Sequence, residues 1–299
     1  MSGSTYSVSR RAACLEIRRE YASRHRVLRV RTRPTLHDSV VRPTFDPLAQ
    51  GSALFALGIV LLGVLNLVSG DFLAPLQPMP NEVAARPLWA FAHGGLLVAL
   101  AAGLMIDHIA RPAAMALTVL LLSWLLLAHI PALLAQPGNV STRVAAAELL
   151  AMTSVAWMLA NFQPNGISSV APPKLAKHSQ LIGRVCFGLM LLVFGATHLA
   201  HSAAIATLIP AWIPGRELWP WFTGIANLVA GMSLLMQIKA RLAALLAGSM
   251  FGSWIFLVHI ERLAADVTDI SEWSFAAMAI ALTGAAWIVA AECDDHQRQ

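Results

Sequence analysis

Residues 208–260 read LIPAWIPGRELWPWFTGIANLVAGMSLLMQIKARLAALLAGSMFGSWIFLVHI, and an earlier part of the same chain can be laid on them. A shift of 130 positions puts Leu88 and Trp89 on Leu218 and Trp219, Gly94 on Gly224, and Arg111 on Arg241. It also puts Ser123 and Trp124 on Ser253 and Trp254, and His129 and Ile130 on His259 and Ile260. Without a gap the same shift continues to Ser141 on Ser271, Thr153 on Thr283 and Trp157 on Trp287. Upstream, a shift of 132 pairs Phe55 with Phe187, Gly63 with Gly195 and Pro78 with Pro210. Apolar composition alone does not produce matches of Trp, His, Arg and Pro at a fixed offset over about a hundred residues. The chain reads as a tandem duplication.

Composition sets the class. Hydrophobic residues make up 57% of the chain and charged ones 12%, with a mean hydropathy of +0.64. A soluble domain carries about twice that charge. From residue 51 onward the apolar runs fall at about 51–69, 88–106, 112–134, 143–161, 181–201, 219–237, 241–260 and 273–291. Each is about the 20 residues that a helix needs to cross ~30 Å of hydrocarbon, and the runs are continuous rather than alternating. The expected fold class is therefore all-α, a polytopic membrane protein with eight transmembrane helices as two parallel four-helix repeats. An even number of crossings per repeat makes both copies enter the membrane in the same direction.

The chain divides accordingly. Residues 1–47 form a basic N-terminal tail, expected to be disordered and cytoplasmic; 48–162 are the first four-helix repeat and 163–180 a cytoplasmic linker; 181–292 are the second repeat and 293–299 a C-terminal tail. Ten of the 18 arginines precede residue 43, with no apolar run of the kind a signal peptide requires. Lys and Arg in the short loops favour one side, that of the tail, Arg111, Lys174, Lys177, Arg184, Lys239 and Arg241, which places both termini in the cytoplasm. The net charge of +5 thus speaks of orientation on a lipid bilayer and not of nucleic acid. Cys14, Cys186 and Cys293 show neither CxxC nor metal spacing, so no metal is expected.

Polar groups inside apolar spans are costly and mark candidate sites. His93 and Thr223 fall in the first turns of their segments, His129, His198 and His259 at far ends, and Asn227 a turn deeper. All are expected in the leaflet away from the cytoplasm. Glu148 is the one carboxylate clearly inside a span; burial leaves it either neutral or paired with His129 or Arg143. Its partner in the second copy is Met278, so its role is played once. Trp124 and Trp254 lie in mid-span, away from the interfacial belt, and suit either packing or stacking on a flat ligand. No Walker loop, GxGxxG, HExxH or GxSxG is present, which leans against a soluble type of enzyme chemistry.

The second copy resembles the DoxX-like family of small four-helix bacterial membrane proteins. The resemblance rests on Gly195 to His198, the loop Leu208 to Gly215, the aromatic entry and Thr223-Gly224 at 219–224, Arg241 to Ala244, and the closing Val258 to Ile260. It covers about 181–292, and the first copy only through the second. It implies a bacterial inner-membrane location and an association with quinone-linked oxidases, membrane redox and thiol stress. Many members carry a glutamate shortly after the Thr-Gly pair, where this chain has Asn227, and Leu97 in the first copy. Three functions are then open: a non-enzymatic membrane scaffold or envelope-stress component, an accessory subunit of a quinone-linked system with redox partner proteins, and a small-solute transporter. Quinone is the cofactor class the cluster suits. A b-type haem between His129 and His259 is a minor variant.

Overall fold

The computed structural model describes residues 45–74, 76–161 and 173–295, with side chains to Cys293. The basic tail up to residue 44, the start of the expected linker and the last four residues lie outside that range. The described residues are helical, without strands. Seven helices are long and apolar enough to cross a membrane, the make-up of a multi-pass membrane protein. They are α1 (Pro47–Ser69), α2 (Arg86–Leu104), α3 (Asp107–Ala135), α4 (Val140–Asn161), α5 (Pro173–Ala200), α7 (Ala240–Ala265) and α8 (Ile270–Asp295). Between α5 and α7 lies α6 (Trp219–Met236). Its opening Trp219-Pro220-Trp221 holds its mean hydropathy down, and it is not among the seven.

Helix ends follow local chemistry more than hydropathy. Asp46 caps α1, its Oδ1 accepting from Leu48 N–H at 3.0 Å and Ala49 N–H at 3.3 Å, with Pro47 in the first turn where no N–H is needed. Gly70 ends it in the left-handed region. α5 starts at Pro173, well inside the expected linker, because the polar stretch after that proline continues the helix although it adds no apolar run. α3 and α7 likewise extend past their apolar runs to Ala135 and Ala265.

The helices pack in chain order, each against the next, and α8 returns to α1. α4 and α8 lie innermost: 67% and 72% of their apolar windows are buried, against 28–44% for the other five. Outward faces stay apolar, as with Leu127 at 79% and Phe256 at 71% exposure, which suits lipid and not water.

Contact between α1 and α8 rests on small residues. A Cβ built on Gly284 would overlap Phe55 N and Gly51 O, and one on Gly58 would stand 2.6 Å from Ala281 Cβ. Backbones come this close only where side chains are missing. We expect Gly284→Leu to lower the thermal midpoint in detergent sharply, at a cost of about 1–3 kcal/mol or more from overpacking. Gly95→Ala, where a Cβ meets nothing within 4 Å, is expected to leave it unchanged.

Candidate functional site

Two helices share one irregularity. Leu125–His129 in α3 and Ile255–His259 in α7 form π-helical turns, with Ile130 N–H donating to Leu125 O and Ile260 N–H to Ile255 O. In a regular α-helix, residues five apart point about 140° away from each other. An i→i+5 turn closes much of that gap, bringing Trp124 toward the face of His129, and Trp254 toward that of His259. Pro131 follows the turn in α3, but Glu261 stands at that place in α7, so a missing proline N–H is not the common cause.

The first half fills the space beside its π turn. Asn66 Nδ2 donates to Gln77 Oε1 at 2.9 Å and to Asp71 O at 2.9 Å, while Gln77 Nε2 lies 3.1 Å from His93 Nδ1. Trp124 Nε1–H donates to His93 Nε2 at 2.9 Å, fixing that nitrogen as an acceptor. The Phe72 ring packs edge-on to Trp124 with centroids 5.5 Å apart. His129 Nε2 donates to Leu76 O at 2.9 Å. Asn66, Gln77, His93 and His129 are all buried. The α1–α2 loop supplying Phe72, Leu76 and Gln77 is pinned by Arg86, which donates to Asp71 Oδ1 at 2.5 Å and to Met79 O and Pro80 O.

The second half leaves the space open. A cavity of about 740 Å³ is walled by α4, α5, α6, α7 and α8, with His129 and Ala132 from the end of α3. It runs from Val140, Ser141, Thr142 and Arg262 near helix ends to Asn227, Phe251 and Leu282 in mid-helix. His198, His259, Glu148, Thr223, Asn227 and Trp254 line it. Of the residues singled out by sequence, His93 and Trp124 lie elsewhere, tied to each other. His129 reaches the cavity wall with Nε2 already bonded, and a haem bridging His129 and His259 does not fit that hydrogen bond.

Within the cavity several polar atoms lack partners. Asn227 is 1% exposed and its Oδ1 makes no hydrogen bond. Glu148 makes no hydrogen bond or ion pair with a described residue, so the expected pairing with His129 or Arg143 is not formed: His129 is held by Leu76 O, and Arg143 points to the exterior. His198 Nδ1–H donates to Phe194 O at 2.9 Å, leaving Nε2 open. Thr223 Oγ1 donates to Trp219 O at 2.8 Å.

Sequence reading missed Glu272 because it sits one residue before the last apolar run. It is 2% exposed, accepts from His259 Nδ1–H at 2.6 Å and pairs with Arg262 at 2.9 Å. A buried carboxylate with two such partners fixes the imidazole so that Nε2 is left without a partner. Gln77 was missed as well, since only the folded loop brings it to His93.

A family model described as a domain of unknown function (DUF8561) matches residues 187–290. The match begins within α5 and ends near the end of α8, so it takes in the whole cavity lining except that from α3, α4 and the α1–α2 loop. No curated protein and no solved structure matches the chain.

Two outcomes follow from this geometry. Trp124→Phe removes a buried donor from His93 and is expected to cost about 1–3 kcal/mol in thermal unfolding. Trp254→Phe, which breaks no hydrogen bond, is expected to cost clearly less. Separately, the Arg86 guanidinium beside Asp71 holds its carboxyl below the usual carboxylate range. A lowered folded value stabilises above the ordinary carboxylate range and is lost as pH falls through it. The stability difference between the wild type and Asp71→Asn is therefore expected to be small, salt-sensitive and gone in acid, as read by unfolding at several pH values.

Proposed function

We propose that this chain is a bacterial inner-membrane protein of two like-oriented helix quartets that binds a small, flat, largely apolar molecule of the quinone class in its second half. The observation that carries the reading is the cavity itself. Its size suits a small-molecule site, its walls are mostly apolar, and a few unsatisfied polar atoms are set among them. A purely scaffolding protein gains nothing from a buried carbonyl oxygen and a carboxyl left without partners, since each costs free energy.

The quartet reading draws support from the fixed-offset matches, from π turns 130 positions apart, and from a packing order that runs once round the helices. In it α6 is the eighth crossing. Both termini are cytoplasmic by the loop charges, and the cavity rim faces the other side. The resemblance to DoxX-like proteins fits an accessory role beside a quinone-linked redox system. Asn227 replaces the glutamate that many of those proteins carry, and the carboxyl at this cavity comes instead from the other half, as Glu148 on α4.

The test is binding by the purified protein in lipid nanodiscs. A short-chain benzoquinone is expected to quench tryptophan fluorescence saturably. Ala279→Trp, which fills the cavity from α8, is expected to abolish that quenching while the protein stays folded. If the wild type neither quenches saturably nor carries a quinone through purification, the scaffolding reading takes its place.

A further inference from the structure

The two halves put different side chains in matching places. In the first, the Trp124 indole N–H is answered by His93, whose other nitrogen lies 3.1 Å from the Gln77 amide. At the same offsets the second half has Thr223 for His93 and Ile209 for Gln77. The Thr223 hydroxyl is occupied with Trp219 O and Pro220 O. Trp254 therefore lines the cavity with an indole N–H that makes no hydrogen bond among the described residues. Where the first half has Leu97, the second has Asn227, whose buried Oδ1 is unpartnered.

In neutral rings His198 Nε2 and His259 Nε2 accept, because each Nδ1–H is already donated. With Asn227 Oδ1 they are three unused acceptors on the cavity wall, while the unpaired and therefore neutral Glu148 carboxyl both accepts and donates. Against them stand the Trp254 N–H, the Asn227 amide N–H groups and Arg262 at the rim. A quinone's carbonyls only accept, so a quinone answers Trp254 and leaves the acceptors bare. A phenolic hydroxyl both accepts and donates. Both tryptophans already have an edge-on ring, His93 on Trp124 at 86° and 5.5 Å and Trp219 on Trp254 at 89° and 5.8 Å, but only His93 also answers the indole N–H.

Resting on the reading of this cavity as a ligand site, we infer that its preferred ligand is an aromatic ring bearing a hydroxyl group, the reduced phenolic form of a quinone-like molecule and not its carbonyl form. The first half carries in His93 a built-in acceptor for the indole N–H. The second half, where Trp219 packs edge-on to Trp254 without accepting from it, leaves that hydrogen bond for a diffusible partner.

The experiment compares a 4-alkylphenol with the matching 4-alkylanisole, its methyl ether, by tryptophan quenching of the full chain in nanodiscs. The two have nearly the same apolar surface and differ in one O–H. The phenol is expected to bind about tenfold tighter or more, since the ether leaves a buried acceptor unpaired. Asn227→Leu, the first half's residue, is expected to erase the preference while ether binding persists. Thr223→His, which gives Trp254 the acceptor that Trp124 has, is expected to fold and to lose phenol binding. Equal affinity for phenol and ether overturns the inference and leaves the cavity reading intact, provided the benzoquinone still binds. A folded Thr223→His protein that binds phenol as well as the wild type overturns it too. If benzoquinone, phenol and ether all fail to bind, the cavity reading falls with it.

Discussion

A polar side chain within an apolar slab has no water to turn to, so its hydrogen bonds must be found inside the protein. The two halves of this chain meet that constraint in opposite ways. Around α3 most of the requirement is met: Trp124 donates to His93, Asn66 donates to Gln77, whose amide packs against the other side of the same imidazole, and His129 is tied to Leu76 O. Around α7 it is met in part. His259 is held by Glu272, which pairs in turn with Arg262, while Asn227 Oδ1 and the Glu148 carboxyl stay unmatched beside an open volume. Native proteins leave few such groups, and those they leave call for a reason.

The architecture explains how one half can stay open. α4 and α8 lie innermost, and α8 is locked to α1 through glycine-lined contacts that tolerate no added side chain. That anchor comes from the first half. α8 can therefore present Met278, Ala279 and Leu282 to the cavity without relying on a filled interior for its own position. Glu148 enters by the same logic, on α4, the other well-buried helix. The site lies mostly among α5–α8 but is completed by α3, α4 and the α1–α2 loop, which is why no single stretch of the chain reads as a complete site.

Much of this was legible in the sequence. Apolar runs of helical length, separated by short polar loops, gave the membrane class and placed the helices, with most ends within about five residues and the start of α5 eight residues off. His198, His259, Thr223, Asn227, Glu148 and Trp254 were singled out as costly or oddly placed, and they line one cavity. Two things stayed hidden for physical reasons. Polar turns that lengthen a helix leave no hydropathy signal, so α5 begins earlier and Glu272 belongs to α8 instead of a loop. And a repeated residue carries no information about its partner: Trp124 and Trp254 match in sequence, yet one is answered by an imidazole and the other is not, because the difference lies at Thr223 and Ile209 on other segments.

The contrast can be read position by position, since residues at fixed offsets meet a plugged interior beside α3 and an open one beside α7. A bonded pair such as His93–Trp124, packed against Gln77 and Phe72, rigidifies its surroundings and leaves no volume for a ligand. An open cavity with unpaired polar atoms forfeits packing and hydrogen bonds, and only a bound molecule returns them. Placing both in one chain lets the closed half supply the stability that the open half gives up. The Arg262–Glu272–His259 group fits the same division. Glu272 is buried but doubly answered, so its cost is met locally, and what it delivers to the cavity is an imidazole fixed in orientation with one nitrogen open. A carboxylate placed there for packing alone would be poorer than an apolar residue of the same size. Its presence at the start of α8, with Thr142 at the matching place in the first half, therefore points to the cavity and not to the scaffold as the reason it is there.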